Sequence, residues 1–134
     1  MATRKIQPTD LFQRALNGRV LYTHVVVAMG QSLIFISGQL ARDRGGNIVG
    51  PGDMRAQIKQ VGENLRKALE AAGATLDDLV KTTTFVTDID EFFKHPEARA
   101  EIFGSSLPTS TTVEVRRLSH PDMMVEIEAM AMVD

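Results

Sequence analysis

The sequence predicts an α+β domain in which about six strands form a single sheet and two helices cover one face of it. Three observations predict this class. Apolar runs rich in Val, Ile and Thr occur near both ends of the chain, one long stretch has helical periodicity, and a shorter helical stretch begins at a proline. A chain of 134 residues is long enough to bury one hydrophobic core and too short for two domains of typical size. We therefore assign residues 1–134 to a single domain.

The first half of the chain predicts two strands followed by a helix. After a polar start, the apolar runs THVVVAMG and LIFISGQL are separated only by Gly30, Gln31 and Ser32, which favours two adjoining strands. A glycine-rich turn follows. Apolar residues then recur every three or four positions, which predicts a helix with Asp53 as its N-cap and Gly73 at its C-terminal end.

The second half predicts a strand, a helix and two final strands. VKTTTFVTDI has the Thr, Val and Phe content of a strand, and TLDDL before it predicts a short turn capped by Thr75 and Asp78. Pro96 suits the first position of a helix, EARAEIF, that Gly104 would end. STTVEVRRL and MMVEIEAMAMV then read as strands. The predicted order is therefore β-β-α-β-α-β-β, with both helices on one face.

The sheet face opposite the helices is predicted to be apolar. LIFISGQL and VVVAM are apolar at consecutive rather than alternate positions, so both faces of these strands need cover. A monomer rarely exposes a contiguous apolar patch of more than roughly a few hundred Å². We therefore expect this face to be buried between the subunits of an oligomer.

Composition argues against several classes of function. A net charge of −2 and the lack of a basic block disfavour nucleic acid as a partner. There is no cysteine, and His24, His95 and His120 lack the spacing of metal ligands, so we expect no metal site. The sequence lacks the glycine-rich motifs that bind nucleotides, and it also lacks the G-x-S-x-G motif of a hydrolase nucleophile elbow. Without an apolar leader or membrane-spanning run, the sequence predicts a soluble, cytoplasmic protein with no membrane partner.

Two acids in the last strand are the first candidates for chemistry. Glu126 and Glu128 in VEIE share one face of that strand, because side chains two positions apart point the same way. If the last two strands pair as a hairpin, Glu114 joins them on this face. A solvated face is one interpretation. The other is a carboxyl group buried between subunits, whose raised pKa suits general acid/base chemistry.

The longer motifs resemble those of the RidA/YjgF family of enamine and imine deaminases, which are also described as endoribonuclease L-PSP-like. The matching stretches are YTHVV, FISGQL, NLRKALEAAGATLDDLVKTTTFVTDIDEF and LPTSTTVEVRRLSHPDMMVEIEAMA, and they cover most of the chain from Tyr22 to Met132. The resemblance implies a chorismate-mutase-like fold and a homotrimer. It also implies small-molecule pockets at the subunit interfaces and the use of no metal or organic cofactor.

The resemblance further implies which residues act. Glu126 matches the acid that positions the water attacking an imine carbon, with release of ammonia and a 2-keto acid. The backbone N–H of Thr112, the backbone of Gly38 and the side chain of Tyr22 match positions that contact the ligand. We interpret Glu114 and Glu128 as structural by default.

At one position the sequence departs from the family pattern. Where the motif P-x-R-[ST] holds an arginine for the substrate carboxylate, this chain has Ser110 after Pro108 and Thr109. A hydroxyl group cannot form the two-pronged charged pair of an arginine with a carboxylate. Three alternatives stay open. A cation elsewhere replaces the arginine, with Arg14, Arg19 and Arg99 as candidates; the ligand binds through hydrogen bonds of Ser110, Thr111 and Thr112; or the site is silent.

The sequence thus supports two hypotheses of different classes. The first is a cofactor-free deaminase-like hydrolase, with Glu126 as its acid/base, acting on an enamine or imine other than a typical small 2-imino acid. The second is a trimeric module of the same fold that binds a metabolite or a protein without turnover. Ribonuclease activity is disfavoured by the negative net charge and by an aromatic content of 5%.

Overall fold

The computed structural model describes residues 3–134, and this part of the chain contains six strands and three α-helices. The strands are β1 (Thr3–Ile6), β2 (Val25–Ala28), β3 (Ser32–Leu40), β4 (Leu79–Val86), β5 (Thr109–Glu114) and β6 (Val125–Val133). The helices are α1 (Met54–Ala71), α2 (Ile89–Phe92) and α3 (Pro96–Phe103), and a 3-10 turn precedes β4 at Leu76–Asp78. The predicted α+β class is confirmed, and the one-turn helix α2 is an addition to the two predicted helices.

Hydrogen bonding divides the strands between two sheets, whereas the sequence predicted one. β3, β6, β4 and β5 form a four-stranded sheet in that order, and β1 and β2 form a separate antiparallel ribbon. The two apolar runs of the first half are therefore not paired with each other. β2 pairs instead with the short, polar N-terminal strand, whose four residues TRKI carry too weak a periodic signal to be recognised as a strand.

β5 and β6 are not neighbours, so the hairpin considered for the last two strands is wrong. β4 lies between them and pairs parallel with β5 and antiparallel with β6. The connection from β4 to β5 contains α2 and α3, which gives the long crossover that parallel strands require. Glu114 consequently lies one strand away from β6 and on the opposite face from Glu126. Its carboxylate accepts a hydrogen bond from the N–H of Ile89 at 3.1 Å, at the start of α2.

The helices lie on one face of the four-stranded sheet and enclose the core. The carboxylate of Asp53 accepts the N–H of Ala56 at 3.0 Å and caps α1 as predicted, and Gly73 follows its last turn with a φ of +75°. α3 begins at Pro96 and packs against α1. The core combines fully buried apolar side chains of α1, β4 and β6: Met54, Ile58, Val61, Leu65, Leu69, Leu79, Val86, Val125 and Ile127.

The other face of this sheet is uncovered in the single chain, and we call it the open face. It carries Leu33 and Phe35 of β3, Glu126 and Glu128 of β6, and Val113 of β5. Phe35 is 72% exposed and Leu33 is 44% exposed. Large apolar side chains on the flat face of a sheet are usually covered, so the open face has the properties of a subunit interface.

Gln57 connects α1 to the segment that leads into β6. Its side chain is fully buried. The amide nitrogen donates to the carbonyls of Gly50 at 3.0 Å and Asp122 at 2.7 Å, and the amide oxygen accepts the N–H of Met124 at 2.8 Å. This side chain therefore helps to hold the start of β6, and with it the position of Glu126.

Gln57→Leu is expected to lower the free energy of unfolding by about 3 kcal/mol, because leucine leaves two carbonyls and one N–H buried without partners. Urea denaturation at a fixed protomer concentration measures the change. Gln60→Leu is the matched control, since Gln60 lies on the same helix and donates only to Asn64. Equal losses in the two variants would contradict a special role for Gln57.

Candidate functional site

A pocket of about 240 Å³ lies beside β5, at the edge of the four-stranded sheet. Its walls come from the loop before β2, from the α2–α3 region and from β5 itself. The lining residues are Arg14, Leu16, Arg19, Leu21, Tyr22, Phe93, Arg99, Ser110 and Thr112. We call it the arginine pocket, because three of its side chains are arginines.

Strand alternation decides which of the predicted binding residues reach this pocket. Ser110 and Thr112 are opposite buried threonines of β4, so their side chains point to the helix-covered face and line the pocket with Tyr22. Thr111 lies between them and points to the open face. The structure therefore brings together Ser110, Thr112 and Tyr22, but not Thr111.

The loop before β2 is bound to the chain segment that enters β5. The N–H of Thr23 donates to the carbonyl of Pro108 at 3.1 Å. The phenol oxygen of Tyr22 accepts the N–H of Arg14 at 2.9 Å. Tyr22 thus contributes to the wall of the pocket and also holds the backbone at Arg14 in place.

A tight turn fixes the position of the second arginine. Asn17 and Gly18 adopt φ angles of 51° and 74°, as the Asn-Gly pair of a two-residue hairpin turn does. The turn pairs the backbones of Leu16 and Arg19, with N–H to carbonyl distances of 2.8 and 2.9 Å. Arg19 is therefore held at the pocket by turn chemistry that is visible in the sequence as NG.

All three arginines that the sequence offered as replacement cations line the same pocket. The guanidinium carbon of Arg14 lies 4.1 Å from the ring centre of Phe93, and that of Arg99 lies 4.9 Å from the ring centre of Phe92. These cation–π contacts orient the two cations. Across residues 3–134, none of the three arginines forms an ion pair with a carboxylate.

Arg99 is the most unusual of the three, because only 8% of it is exposed. Its burial, and secondly the positive charge of Arg14, lower the pKa of Arg99 to about 10. The side chain still carries its charge at neutral pH. Buried cations in proteins are normally paired with an anion, so a positive charge is left uncompensated on the wall of this pocket.

Glu126 lies outside the arginine pocket, on the open face and next to Gly38. β3 has an irregularity in its pairing between Ile36 and Gln39, and Gly38 lies within it. A Cβ atom added to Gly38 would overlap with the Oε2 atom of Glu126. Glycine is therefore required here for the close approach of the carboxyl group to the backbone of β3, and we call this pair the acid site.

Burial raises the pKa of the Glu126 carboxyl group, and the nearby charge of Glu128 raises it further. Glu126 is half-buried, whereas Glu128 is exposed on the same face of β6. A carboxyl group whose pKa is raised by burial is a candidate for proton transfer, so Glu126 is the candidate acid/base of this site.

One chain therefore contains two separate groups of candidate residues on opposite faces of the sheet. The arginine pocket holds Ser110, Thr112 and Tyr22, and the acid site holds Gly38 and Glu126. Phe93 was not identified from the sequence as a pocket residue, because a phenylalanine in the stretch EFFKH has no feature that indicates a binding site. In residues 3–134 no three His, Cys, Asp or Glu side chains are grouped to hold a metal ion, and no helix there is long and apolar enough to cross a membrane.

Comparison with known proteins identifies the family. The family model of Endoribonuclease L-PSP matches residues 12–133, nearly the whole chain. The chain belongs to the endoribonuclease L-PSP family. A RutC family protein of Pyrococcus horikoshii is 45% identical over 101 residues, which are 75% of this chain and 79% of that protein. The mitochondrial protein mmf2 of Schizosaccharomyces pombe is 41% identical over 101 residues, 74% of this chain and 79% of mmf2.

Solved structures of L-PSP and Rid proteins have the same fold. The Rid family protein YyfB of Yersinia pestis superimposes with a TM-score of 0.86 at 29% identity, covering 98% of this chain and 99% of YyfB. RidA of an Antarctic Psychrobacter gives a TM-score of 0.70 at 29% identity, covering 96% and 99% of the two chains. The RidA/YjgF resemblance and its fold are thereby confirmed. The cytoplasmic location stays a prediction, since mmf2 is named as mitochondrial.

The arginine pocket bears on the predicted departure of this chain from the family motif. The family motif predicted an arginine at position 110, and the structure has Ser110 there. Three other guanidinium groups line the space beside that serine. The first of the three alternatives, a cation from elsewhere in the chain, therefore fits the geometry.

Proposed function

We propose that the protein is a cofactor-free hydrolase of the imine and enamine deaminase type, with its active site shared between the chains of a homotrimer. The observation that carries the proposal is the acid site. Glu126 has a raised pKa and lies on an apolar face that a second chain is needed to cover. In the proposed trimer, the acid site of one chain adjoins the arginine pocket of the next chain. Membership of the L-PSP family supports both parts.

The proposed reaction is the hydrolysis of a protonated C=N bond. An enamine substrate first tautomerises to the imine. The oxygen of a water molecule bonds to the imine carbon while the Glu126 carboxylate accepts one proton of that water, which gives a carbinolamine. Glu126 then returns that proton to nitrogen and the C–N bond breaks with release of ammonia. The Glu126 carboxylate accepts the hydroxyl proton as the carbonyl group forms and passes it to the ammonia. One protonated imine and one water yield one carbonyl compound and one ammonium ion.

The direct test is the decay of an imine made in situ by an amino-acid oxidase and trapped with semicarbazide. We expect the protein to reduce the yield of semicarbazone and to increase free keto acid. An imine derived from a dicarboxylic amino acid and one derived from alanine are compared in parallel. Identical semicarbazone yields with and without the protein, for every imine, would reject the hydrolase.

Gly38→Ala is expected to lower turnover by about 100-fold while the protein stays folded. The added methyl group displaces the carboxyl group of Glu126, and a reacting group misplaced by about 1 Å costs a factor of that order. Imine decay and the melting temperature are measured together. The control is Gly45→Ala, whose Cβ would meet only side-chain atoms, the nearest being Nδ2 of Asn47 at 3.2 Å. An unchanged rate in Gly38→Ala would mean that the position of Glu126 does not matter.

A non-catalytic trimeric module that binds a metabolite is the second candidate. Ser110 favours it, because the motif position that resembles the family's substrate-binding arginine is occupied by a serine. Thermal stabilisation by a ligand without formation of any product would support this candidate. RNA cleavage, suggested by the family's name, is less well supported, because the pocket of about 240 Å³ suits a small molecule.

A further inference from the structure

We infer that the arginine pocket binds a small molecule with at least two negative charges, such as a dicarboxylate or a phosphorylated acid. One anionic group contacts Arg99 in the interior, and the other contacts Arg14 and Arg19 on the loop. This names the substrate class of the site described above, so as a statement about a substrate it rests on the proposed function. The binding of the dianion itself is measurable without any turnover.

The first step of the argument is the charge balance of the pocket. Within one chain, Arg14, Arg19 and Arg99 are the charged lining residues, so three positive charges face a volume of about 240 Å³ with no acid among the lining side chains. The single Glu126 carboxylate that the proposed trimer would bring beside the pocket still leaves a net positive charge there. Like charges this close repel each other, and burial strengthens the repulsion. Burial first, and the positive charge of Arg14 second, lower the pKa of Arg99 to about 10, so the neighbouring cation adds to the cost of burying this charge.

The second step is that the fold actively holds these cations together. The rings of Phe92 and Phe93 lie under the guanidinium group of Arg99, at 4.9 and 5.9 Å, and that of Phe93 also lies 4.1 Å from Arg14. The Asn-Gly turn holds Arg19. Unpaired surface arginines would instead extend into water. An arrangement that keeps repelling charges together is expected where an anion compensates them.

The third step concerns the number of charges on the ligand. Arg99 is buried, whereas Arg14 and Arg19 are exposed at the outer side of the pocket. A monocarboxylate neutralises one guanidinium group and leaves the others facing each other. A ligand with two anionic groups can pair with the buried arginine through one group and with the two exposed arginines through the other. Each guanidinium group can bind two oxygens of a carboxylate or phosphate. Ser110 fits this view, because an arginine there would add a fourth positive charge to the same pocket.

Isothermal titration calorimetry of the full chain at constant ionic strength tests the inference. The probes are succinate, butyrate with the same number of carbons, and phosphoglycolate, which carries a phosphate and a carboxylate. We expect succinate or phosphoglycolate to bind at least about 30-fold more tightly than butyrate, since each desolvated charge pair contributes a factor of at least that order. The stronger of the two dianions identifies the ligand as a carboxylic or a phosphorylated compound.

Arg99→Met keeps the apolar stem and removes the charge, and we expect it to weaken dianion binding by at least about 30-fold. Arg14→Met and Arg19→Met change exposed side chains that do not support the core, and each is expected to weaken binding in the same direction. Arg55→Met is the matched control. Its guanidinium pairs with Glu97 and Glu101 outside the pocket, so dianion affinity stays at the wild-type value.

Equal affinities for succinate and butyrate, or no binding of either dianion, would overturn the inference. The second result is expected if a carboxylate of a neighbouring chain already fills the pocket. Failure of the proposed hydrolase activity would give a different result. If the wild-type protein binds a dianion but hydrolyses no imine, the inference stands and the proposed hydrolase activity is rejected. Hydrolysis of a dianionic imine with the wild-type rate and KM in Arg99→Met keeps the hydrolase and rejects the inference.

Discussion

Glu126→Gln is expected to lower kcat for imine hydrolysis by about 100- to 10,000-fold, the range associated with loss of a general acid/base. The amide has the shape of the carboxyl group but cannot accept a proton from water. Release of ammonia gives kcat, and light scattering shows whether the assembly is intact. Full activity in Glu126→Gln would defeat the proposed mechanism.

The control for this substitution is Glu128→Gln, two positions along the same face of β6. The charge of Glu128 contributes to the raised pKa of Glu126, so its removal lowers that pKa. The carboxylate is the active form, and it then persists to lower pH. We expect the acidic limb of the kcat/KM profile to shift to lower pH while the plateau rate is retained. A loss as large as that of Glu126→Gln would show that the two acids act together.

Glu126→Gln also tests whether the site is shared between chains. Neither this variant nor Arg99→Met should hydrolyse a dianionic imine efficiently. When both are unfolded and refolded together, mixed trimers contain pockets with an intact acid site from one chain and an intact arginine pocket from another. Recovered activity in the mixture is therefore expected. A site within one chain would give no recovery, because every chain lacks one of the two groups.

The local features of the fold could be predicted from the sequence because short-range rules determine them. Asp53 caps α1 and Pro96 opens α3 because these residues suit helix starts whatever the rest of the chain does. The period of two along VEIE placed Glu126 and Glu128 on one face, and the structure has them there. The prediction that the second face is apolar came from consecutive apolar residues, and it holds for LIFISGQL of β3 but not for VVVAM, because β2 lies in the separate ribbon.

Strand partners were harder to predict, because pairing depends on connections rather than on the strands themselves. The hairpin between the last two strands was plausible from proximity in sequence. The better signal was the helix between VKTTTFV and STTVEV, since two strands joined through a helix usually pair in parallel. This rule pairs β5 with β4 instead of β6, which separates Glu114 from the acid site.

The convergence of the three arginines lay beyond the sequence. Arg14 and Arg19 lie on a loop before β2, and Arg99 lies on α3, about 80 residues further along the chain. Only the packing of that loop against β5 and α3 makes them neighbours. As isolated sequence positions each resembles a solvated surface arginine, because charge alone does not show whether a side chain faces water or a pocket.

Phe35→Glu is expected to convert the proposed trimer to monomers at micromolar concentration and to abolish imine hydrolysis at the same time. The side chain of Phe35 is 72% exposed on the open face, and a carboxylate buried there between subunits would lack a partner. Light scattering should give three times the 14.7 kDa mass of one chain for the wild type, and the mass of one chain for the variant. Wild-type protein that is already monomeric would reject the shared site.

The matched control is Lys59→Glu, which places a carboxylate on the exposed side of α1, away from the sheet. We expect this variant to remain trimeric and active. Circular dichroism shows whether Phe35→Glu monomers are folded, since Phe35 contributes little to the core of its own chain. Folded monomers with full hydrolase activity would mean that Glu126 works within one chain. Folded but inactive monomers are the expected result, because the acid site and the arginine pocket lie on opposite faces of the sheet of one chain, and in the proposed trimer a second chain brings them together.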